Sequence, residues 1–232
     1  MYTSPLISQI TITYNPRLFY PYTIHTLSIH YPYTTHTPPL MSVQLDVTKP
    51  NEAEIRESAL VSDIYSQIAK YFDETRGYLW SWVRDVIDTI PAGSRILDIG
   101  CGNGRNMNAC IKKNRQFTVC GLDNCPEFVR MCQLRNLSVV LGDMCCLPYL
   151  DNSFDLVMMI ASFHHLTTVE RRQMCLQECY RVLQPGGTLV LSVWSINQPE
   201  KTRRVFTRYG DHIVPWIQRD KDTGETQTYN RY

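Results

Sequence analysis

Apolar residues along this chain fall into short continuous runs, separated by segments in which apolar positions recur with helical spacing. Five of these runs have the length and composition of buried strands, and they cover residues 95–99, 117–122, 137–141, 154–160 and 188–194. Two helices are predicted before the first strand, the earlier one over about residues 52–72, and further helices separate the strands. Strands that alternate with helices imply an α/β domain with a parallel sheet and right-handed crossovers.

A glycine-rich loop follows the first predicted strand. Gly100, Gly102 and Gly104 occupy every second position, and Asp98 lies two residues before the first of them. Glycine permits positive φ and close backbone approach, and the helix beyond the loop offers free N–H groups to an anion. The loop therefore predicts a nucleotide-type site, although its spacing differs from the G-x-G-x-x-G of NAD enzymes. A glycine-rich turn without a ligand is the alternative.

Two more acids follow the next two predicted strands. Asp123 ends the second strand, where an acid commonly holds a ribose diol through paired hydrogen bonds. Its alternative role is to cap the helix that begins near Pro126. Asp143 follows the third strand, where it is either a second ligand-binding acid or a turn residue. Because parallel strands end at the same edge of a sheet, we expect both acids to lie near the glycine loop.

Residues 1–40 have a different composition from the rest of the chain. They hold six Pro, six Tyr and eight Thr, and a single charged residue, Arg17. The prolines interrupt any helix or strand longer than about ten residues. We expect a disordered or non-native extension here, with translation beginning at Met41 as one explanation, and one domain over residues 41–232.

Charge and cysteine content narrow the class of protein further. The net charge of +1 excludes a global field that attracts nucleic acid or a membrane, so any basic surface must be local. All nine cysteines lie between Cys101 and Cys179, and none forms the C-x-x-C pair of a zinc site. They are typical of buried apolar residues in a reducing compartment, which predicts a cytoplasmic and also nuclear location. No apolar run approaches the ~20 residues that a membrane helix needs.

Four short patterns accompany the glycine loop and identify a family. They are Thr75-Arg76 with Trp80, the pair His164-His165, Val193-Trp194, and Val214-Pro215-Trp216 followed by Arg231-Tyr232. In this order the chain resembles the S-adenosylmethionine-dependent tRNA wobble-uridine methyltransferases, which esterify the carboxylate of 5-carboxymethyluridine. The resemblance covers about residues 52–232. It departs from the family at residues 75–81, where T-R-x-K-P-W-P is usual, and after Arg231-Tyr232, where the family continues through R-Y-Y-H.

The resemblance implies a fold and a cofactor. We expect a class I methyltransferase-like Rossmann sheet that is truncated before its closing strand hairpin, since residues 195–232 look irregular and polar. S-adenosyl-L-methionine is the implied cofactor. The family pattern assigns its binding to a set of residues after successive strands, namely Asp98, Gly100, Gly102, Gly104, Asp123, Asp143 and Met144. In that pattern the Asp143 position faces the adenine amino group, and the Met144 position packs on the ring.

The acceptor chemistry implied by the resemblance needs little acid–base catalysis. A carboxylate has a pKa near ~4, so it is already ionised at neutral pH and needs only to be held against the methyl group. A guanidinium suits this task because it presents paired donors. Arg76 is the first candidate and Arg231 the second, while His165 and His164 are expected to donate to the substrate or stack on its base. The alternative is that both are packing histidines, one exposed and one buried.

The resemblance also implies two partners. One is the anticodon loop of tRNA, on which Trp80, Trp194 and Trp216 would stack unless they are core residues. The other is a small zinc-binding activator protein that forms a heterodimer by adding to the third predicted strand, an apolar sheet edge. Val139, Leu141, Cys145, Cys146 and Leu147 are then expected near the interface, unless residues 1–40 or a loop cover this edge.

Two other functions stay open from the sequence. One is methylation of a small acceptor such as a quinone or sterol ring, which would require an apolar pocket rather than arginines at its mouth. The other is a truncated, non-catalytic scaffold that binds a partner. Comparing methyl transfer to tRNA with methyl transfer to a lipid extract tests the small-acceptor function. Titration with the cofactor tests the scaffold function, because a scaffold would leave the cofactor site unfilled.

Overall fold

The structure is a computed structural model that describes residues 10–13, 22–29, 51–196, 206–219 and 223–232. Its strands are β1 (Ile10–Thr13), β2 (Tyr22–Ile29), β3 (Arg95–Ile99), β4 (Thr118–Asp123), β5 (Ser138–Leu141), β6 (Phe154–Ile160), β7 (Leu183–Trp194), β8 (Val214–Arg219) and β9 (Thr226–Arg231). Its α-helices are α1 (Glu52–Glu57), α2 (Asp63–Thr75), α3 (Ser81–Thr89), α4 (Arg105–Lys112), α5 (Pro126–Leu134) and α6 (Val169–Val182). A π-helical turn, Ser58–Ser62, joins α1 to α2, and a 3₁₀ turn, Phe163–His165, follows β6.

Seven strands form one sheet in the order β1-β2-β7-β6-β3-β4-β5. The five strands β3 to β7 are parallel to one another, which confirms the predicted parallel sheet. Helices cover both faces, and β6 is buried at six of its seven positions because it lies at the centre of the sheet. Trp82 and Ile87 of α3 pack on one face, while Cys175 and Cys179 of α6 pack on the other.

The chain enters β7 earlier than the sequence predicts. The sequence predicts that the fifth strand starts at residue 188, but β7 already begins at Leu183, directly after α6. Leu183 pairs with Phe154, and the register then shifts before Leu156 pairs with Thr188. Gly186 has a φ of +81°, so this irregularity uses a backbone conformation that glycine adopts without strain.

Two segments of the N-terminal extension are strands rather than disordered chain, which corrects the prediction for those segments. β2 pairs antiparallel with β7, from Tyr22 opposite Trp194 to Ser28 opposite Thr188, and β1 pairs antiparallel with β2. Both strands are short enough to fit between prolines, and threonine and isoleucine favour extended backbone. β2 and β1 thus occupy the sheet edge beside β7. The sequence analysis expected the sheet to be truncated there, without its closing strand hairpin. The rest of residues 1–40 lies outside the described residues, and the boundary at residue 40 stays a prediction.

The end of the chain contains a hairpin where irregular structure was predicted. β8 and β9 pair antiparallel, with Trp216 opposite Tyr229, and they form a separate two-stranded sheet. Trp216 and Tyr229 are buried against Ile68 of α2. The pattern was missed because only one face of this hairpin is apolar, and Pro215 interrupts the strand signal.

β5 lies at the other edge of the large sheet, as predicted from the family. Val140 and Leu141 are exposed there, but Val139, Cys145 and Leu147 are buried in the core of this chain. Of the residues predicted near the interface, only Leu141 and Cys146 are thus exposed, and the interface itself stays a prediction. Among the described residues, no helix is long and apolar enough to cross a membrane.

Candidate functional site

A cavity opens where β3, β4, β5 and β6 end, and it joins two groups of predicted site residues. One wall, here called the glycine side, carries Gly100, Gly102, Asp123, Asp143 and Met144. The opposite wall, here called the arginine side, carries Arg76, Arg231 and His165 together with Tyr65 and Trp216. Of the predicted site residues, only Asp98 and Gly104 are not part of the cavity wall.

The three loop glycines differ in what surrounds them. A Cβ on Gly100 would lie 2.3 Å from the Cβ of Ser162, and one on Gly104 would lie 2.4 Å from Cδ1 of Leu137. A Cβ on Gly102 would meet nothing closer than Cε1 of Phe72, at 3.9 Å. All three have positive φ, so the loop conformation itself requires glycine. Gly100 and Gly104 are thus needed for close packing, and Gly102 leaves backbone open toward the cavity.

Asp98 lies beneath the loop and is fully buried. Neither of its carboxylate oxygens has a hydrogen-bond partner among the described residues. Burial raises the pKa of Asp98 to about 7, since a low-dielectric environment disfavours the charged form. The Asn106 side chain and the positive charge of Arg105 lower the pKa of Asp98 and offset part of the effect of burial. A buried carboxyl with so few polar contacts favours a role in ligand binding near the loop.

Asp123 connects β4 to the glycine loop. Its carboxylate accepts hydrogen bonds from the backbone N–H of Gly102 at 2.7 Å and of Cys125 at 3.0 Å. Burial nevertheless raises its pKa to about 6. The same carboxylate both braces the loop and borders the cavity, so the helix-capping role and the binding role predicted for this residue are compatible.

Asp143 is held by an arginine that the sequence analysis missed. Arg171, buried in the first turn of α6, contacts Asp143 at 2.7 Å, Glu57 at 2.7 Å and Glu54 at 3.2 Å. Asp143 also accepts a hydrogen bond from the backbone N–H of Cys145 at 2.8 Å. A cation near a helix N-terminus opposes the helix dipole, and that unfavourable placement was the available signal for a role of Arg171.

A hydrogen-bonded chain runs through the arginine side. Nη1 of Arg231 donates to the hydroxyl of Tyr65 at 2.9 Å, and this hydroxyl lies 3.2 Å from Nε2 of His165. Nδ1 of His165 lies 2.5 Å from the main-chain oxygen of Tyr232. Because that oxygen only accepts, Nδ1 carries the proton and Nε2 accepts from Tyr65. Tyr65 and His165, which come from distant parts of the chain, thus help to fix the position of the Arg231 guanidinium.

Arg231 is almost fully buried, yet no carboxylate among the described residues forms an ion pair with it. Its Nε is buried without a hydrogen-bond partner. Its guanidinium carbon lies 4.6 Å from the ring centroid of Trp216 and 5.6 Å from that of Tyr65. A buried cation without a counter-ion favours an anionic ligand in the cavity.

Arg76 reaches the same aromatic ring from the end of α2. Its guanidinium carbon lies 5.1 Å from the ring centroid of Trp216 and 5.9 Å from that of Phe72. Trp216 therefore supports two guanidinium groups, and its buried ring is a packing residue rather than a free stacking platform. Arg76 is only partly buried, so it is a weaker anchor for an anion than Arg231.

The two histidines after β6 are neutral at pH 7. Burial lowers the pKa of His165 to about 4, and the nearby Arg231 also lowers it. Burial also lowers the pKa of His164 well below its usual value, with His165 and Arg231 as additional causes. A neutral His165 serves as a hydrogen-bonding and orienting group, not as a cation. Among the described residues, no group of three or more His, Cys, Asp or Glu side chains could hold a metal ion.

Comparisons with known proteins agree on a methyltransferase fold. A family model described as a methyltransferase domain matches residues 97–191. The tRNA (carboxymethyluridine(34)-5-O)-methyltransferase of Schizosaccharomyces pombe is 35% identical over 164 residues, which cover 69% of each protein. The mouse protein ALKBH8, which carries the same enzyme name, is 32% identical over 77% of this chain and 27% of its own length. The Arabidopsis thaliana protein of that name is 33% identical over 69% of this chain and 39% of its own length.

The matched region is only part of most of these relatives. The chain spans about a third of the length of several curated proteins that it matches. Among solved structures, a SAM dependent methyltransferase from Aquifex aeolicus aligns with 58% of this chain and 75% of that chain, at 24% identity and a TM-score of 0.49.

Proposed function

Because the chain belongs to the family of tRNA (carboxymethyluridine(34)-5-O)-methyltransferases, we propose that it performs the reaction of that family. It transfers the methyl group of S-adenosyl-L-methionine to the carboxylate of 5-carboxymethyluridine at the tRNA wobble position. The observation that carries this proposal is the buried guanidinium of Arg231, which borders the cavity and has no carboxylate partner among the described residues. The substrate carboxylate supplies the missing anion.

The glycine side fits a cationic, nucleoside-containing cofactor. The orphaned carboxylate of Asp98 supplies negative charge for the amino and sulfonium groups, and Gly102 leaves backbone free for close approach. Asp123 ends β4, and in this proposal its carboxylate binds the ribose hydroxyls. Asp143 and Met144 border the same wall and bind the adenine ring. S-adenosyl-L-methionine supplies an activated methyl group when it is bound here.

The arginine side fits a carboxylate nucleophile. An ionised carboxylate needs no general base. His165 agrees with this, because it is neutral and its Nδ1 proton is hydrogen-bonded to the main-chain oxygen of Tyr232. Arg231 orients the carboxylate, Arg76 adds a second positive charge, and Tyr65 and His165 hold Arg231 in place. In this proposal Arg231 ranks before Arg76, in contrast to the sequence-based expectation, because Arg231 is the more buried of the two.

A quinone or sterol acceptor fits this cavity less well. Two guanidinium groups lie at its wall, and transferring an apolar ring next to them would desolvate charge without compensation. A non-catalytic scaffold would have no use for the unpartnered Asp98 carboxylate or the unpaired Arg231. Both features favour an enzyme over the alternatives.

Methyl transfer to tRNA that carries 5-carboxymethyluridine tests the proposal. We expect Arg231→Ala to lower the transfer rate roughly 10- to 100-fold, the effect of losing a charge-assisted hydrogen bond, with little change in cofactor affinity. Arg130→Ala, at an exposed arginine of α5, is the matched control and should behave as the wild type. Wild-type protein that binds the cofactor but never methylates such tRNA would refute the proposed acceptor.

A heterodimer with a small zinc-binding activator protein is the second part of the proposal. β5 is an edge strand with free backbone groups on its outer side, and the side chains of Val140 and Leu141 are exposed beside it. A partner strand that pairs with this edge would cover both side chains. The zinc belongs to the activator in this arrangement.

Co-expression with the activator tests this interface. We expect Leu141→Asp to prevent formation of a stable complex, because a charge would be buried at the pairing edge. Ile111→Asp, at an exposed apolar residue of α4, is the control for a charge added elsewhere. Soluble, monodisperse and active protein obtained without an activator would show that no such partner is required.

A further inference from the structure

A second cavity of about 280 Å³ lies beside the first one, where β6 and β7 end. Its walls come from the turn Phe163–His165, the end of β7, residues 206–214 and the last two residues of the chain. Three residues, His165, Trp194 and Arg231, line both cavities and form the partition between them. Methyl transfer as proposed above uses only the first cavity, so the second has no assigned role.

Aromatic rings follow one another around the second cavity. The ring centroids of His164 and Trp194 lie 6.0 Å apart, those of Trp194 and Phe206 lie 6.0 Å apart, and those of Phe206 and His212 lie 4.9 Å apart. The rings are tilted or perpendicular to their neighbours, which leaves faces and edges for another planar ring. Such walls are typical of sites that bind an unpaired nucleobase.

Apart from Arg231 in the partition, the charges at the second cavity are compensated or lie at its rim, which favours a neutral ring there. Nη2 of Arg172 lies 2.9 Å from Oδ1 of Asp211 and 3.2 Å from the hydroxyl of Tyr232, so its charge is compensated. His164 is neutral at pH 7 because burial lowers its pKa. Arg208 is exposed at the rim. The volume is near the lower end of small-molecule sites, roughly 300 Å³, which suits one ring rather than a run of nucleotides.

One polar atom in this wall has no partner. Nδ1 of His164 is buried and makes no hydrogen bond with any described residue. A neutral imidazole carries one donor and one acceptor nitrogen, so the ring can bond to either type of group on a base. Enzymes that modify an extruded base read its edge through hydrogen bonds of this kind.

We propose that the second cavity holds the uracil ring of the acceptor nucleotide. The ring stacks on Phe206 and Trp194, and His164 bonds to its polar edge. The carboxylate borne by the same ring then meets Arg231, which belongs to the partition between the cavities. This inference rests on the proposed function and adds the place and the chemistry by which the base is recognised.

Competition by the free nucleoside tests the inference. Methyl transfer to tRNA is measured in the presence of 5-carboxymethyluridine nucleoside, which competes through its own ring and carboxylate. We expect Phe206→Ala to raise the inhibition constant of the nucleoside roughly tenfold or more, as for loss of a base-stacking ring. Phe206→Tyr keeps a ring and should stay near the wild type. Tyr180→Ala, at a partly exposed aromatic residue of α6 that lines neither cavity, is the control.

A second variant separates stacking from hydrogen bonding. His164→Phe keeps an aromatic ring but removes both ring nitrogens, so it should weaken binding of the nucleoside roughly 2- to 10-fold. The affinity for S-adenosyl-L-methionine should not change in either variant. We expect both variants to unfold at a temperature near that of the wild type, which would show that the weaker binding does not come from misfolding.

The outcomes distinguish this inference from the proposed function. Equal inhibition of the wild type and Phe206→Ala would overturn it, even with an altered KM for tRNA, since the cavity would then bind another part of the tRNA. Failure of the nucleoside to bind the wild type would overturn it as well. If the wild type methylates no tRNA, the proposed function fails instead, and calorimetric titration of the nucleoside into the wild type and Phe206→Ala still tests the cavity.

Discussion

The two sides of the first cavity are built in different ways. The glycine side comes from three consecutive strand ends, and all of its residues lie within a stretch of fewer than fifty positions, from Gly100 to Met144. The arginine side combines α2, the turn after β6 and the hairpin β8–β9, so Tyr65 and Arg231 are separated by 166 positions. One side depends on local backbone geometry, and the other depends on long-range packing.

This difference predicts how each side responds to mutation. On the glycine side the backbone packs closely at Gly100 and Gly104, so a single added carbon is damaging and few side chains can compensate. On the arginine side the guanidinium groups rest on aromatic rings and hydroxyl groups, so removing one contact leaves others in place. Mutations on the glycine side should therefore act on cofactor binding and stability, and those on the arginine side should act on transfer.

Gly100→Ala is expected to have the largest effect. Its φ of +69° alone costs an alanine ~1–2 kcal/mol, and the contact with Ser162 adds ~1–3 kcal/mol of overpacking. Cofactor binding should be lost by calorimetry. Gly186→Ala is the matched control, because Gly186 has a φ of +81° but a Cβ there would meet no atom within 4 Å. This variant should therefore show only the cost of the backbone strain. Equal losses of unfolding free energy in the two variants would contradict the close approach at Gly100.

The pH dependence of stability tests the burial of Asp98. In the folded protein its pKa is raised from 3.8 to about 7, so the folded state keeps a proton that the unfolded state loses above pH 4. The free energy of unfolding should therefore fall between about pH 4 and pH 7, by at most ~1.4 kcal/mol per pH unit, and level off above. Asp123, with a pKa of about 6, contributes with the same sign up to about pH 6.

Asp98→Asn removes the Asp98 contribution, so the cofactor-free variant should be more stable than the wild type at pH 8. Cofactor affinity should move the other way, because the ionised carboxylate attracts the cationic cofactor. Asp63→Asn, at an exposed carboxyl of α2, is the control for a simple change of charge. A wild type with the same pH profile as Asp98→Asn would show that Asp98 does not titrate in this window.

Asp123→Ala is expected to weaken cofactor binding by ~1–3 kcal/mol, the cost of leaving hydrogen-bonding groups unpaired. The backbone N–H of Gly102 loses its partner at the same time, so the loop should also become less ordered. Calorimetric titration measures the affinity, and amide hydrogen exchange at Gly102 measures the order of the loop. Unchanged affinity with faster exchange would assign Asp123 a structural role only.

Arg76→Ala is expected to have the smallest effect of these changes. Its guanidinium is partly exposed and shares Trp216 with Arg231, so transfer to tRNA should fall only roughly three- to tenfold, with cofactor affinity intact. A larger loss than in Arg231→Ala would restore Arg76 as the main carboxylate ligand. Loss of cofactor binding instead would make Arg76 a structural residue.

Long-range pairing explains the elements that the sequence did not predict. The hairpin β8–β9 contains Pro215 and has one apolar face, and it is stabilised by Trp216 and Tyr229 against α2 rather than by its own pattern. The strand β2 pairs with β7, more than 150 positions away, with Ser28 opposite Thr188, and β1 then adds to β2. Arg171 was missed because its three acidic partners are distant in the chain or on another element.

The sequence by itself determined the parallel sheet, the glycine loop and the acids that follow successive strands. Periodicity, strand ends and glycine conformation are local properties, so they can be read from neighbouring residues. Only the tertiary structure decided which arginine is buried, which tautomer His165 adopts, and that Trp216 supports two guanidinium groups. Burial and hydrogen-bond partners depend on residues brought together from distant parts of the chain, and the pKa of each group follows from those partners.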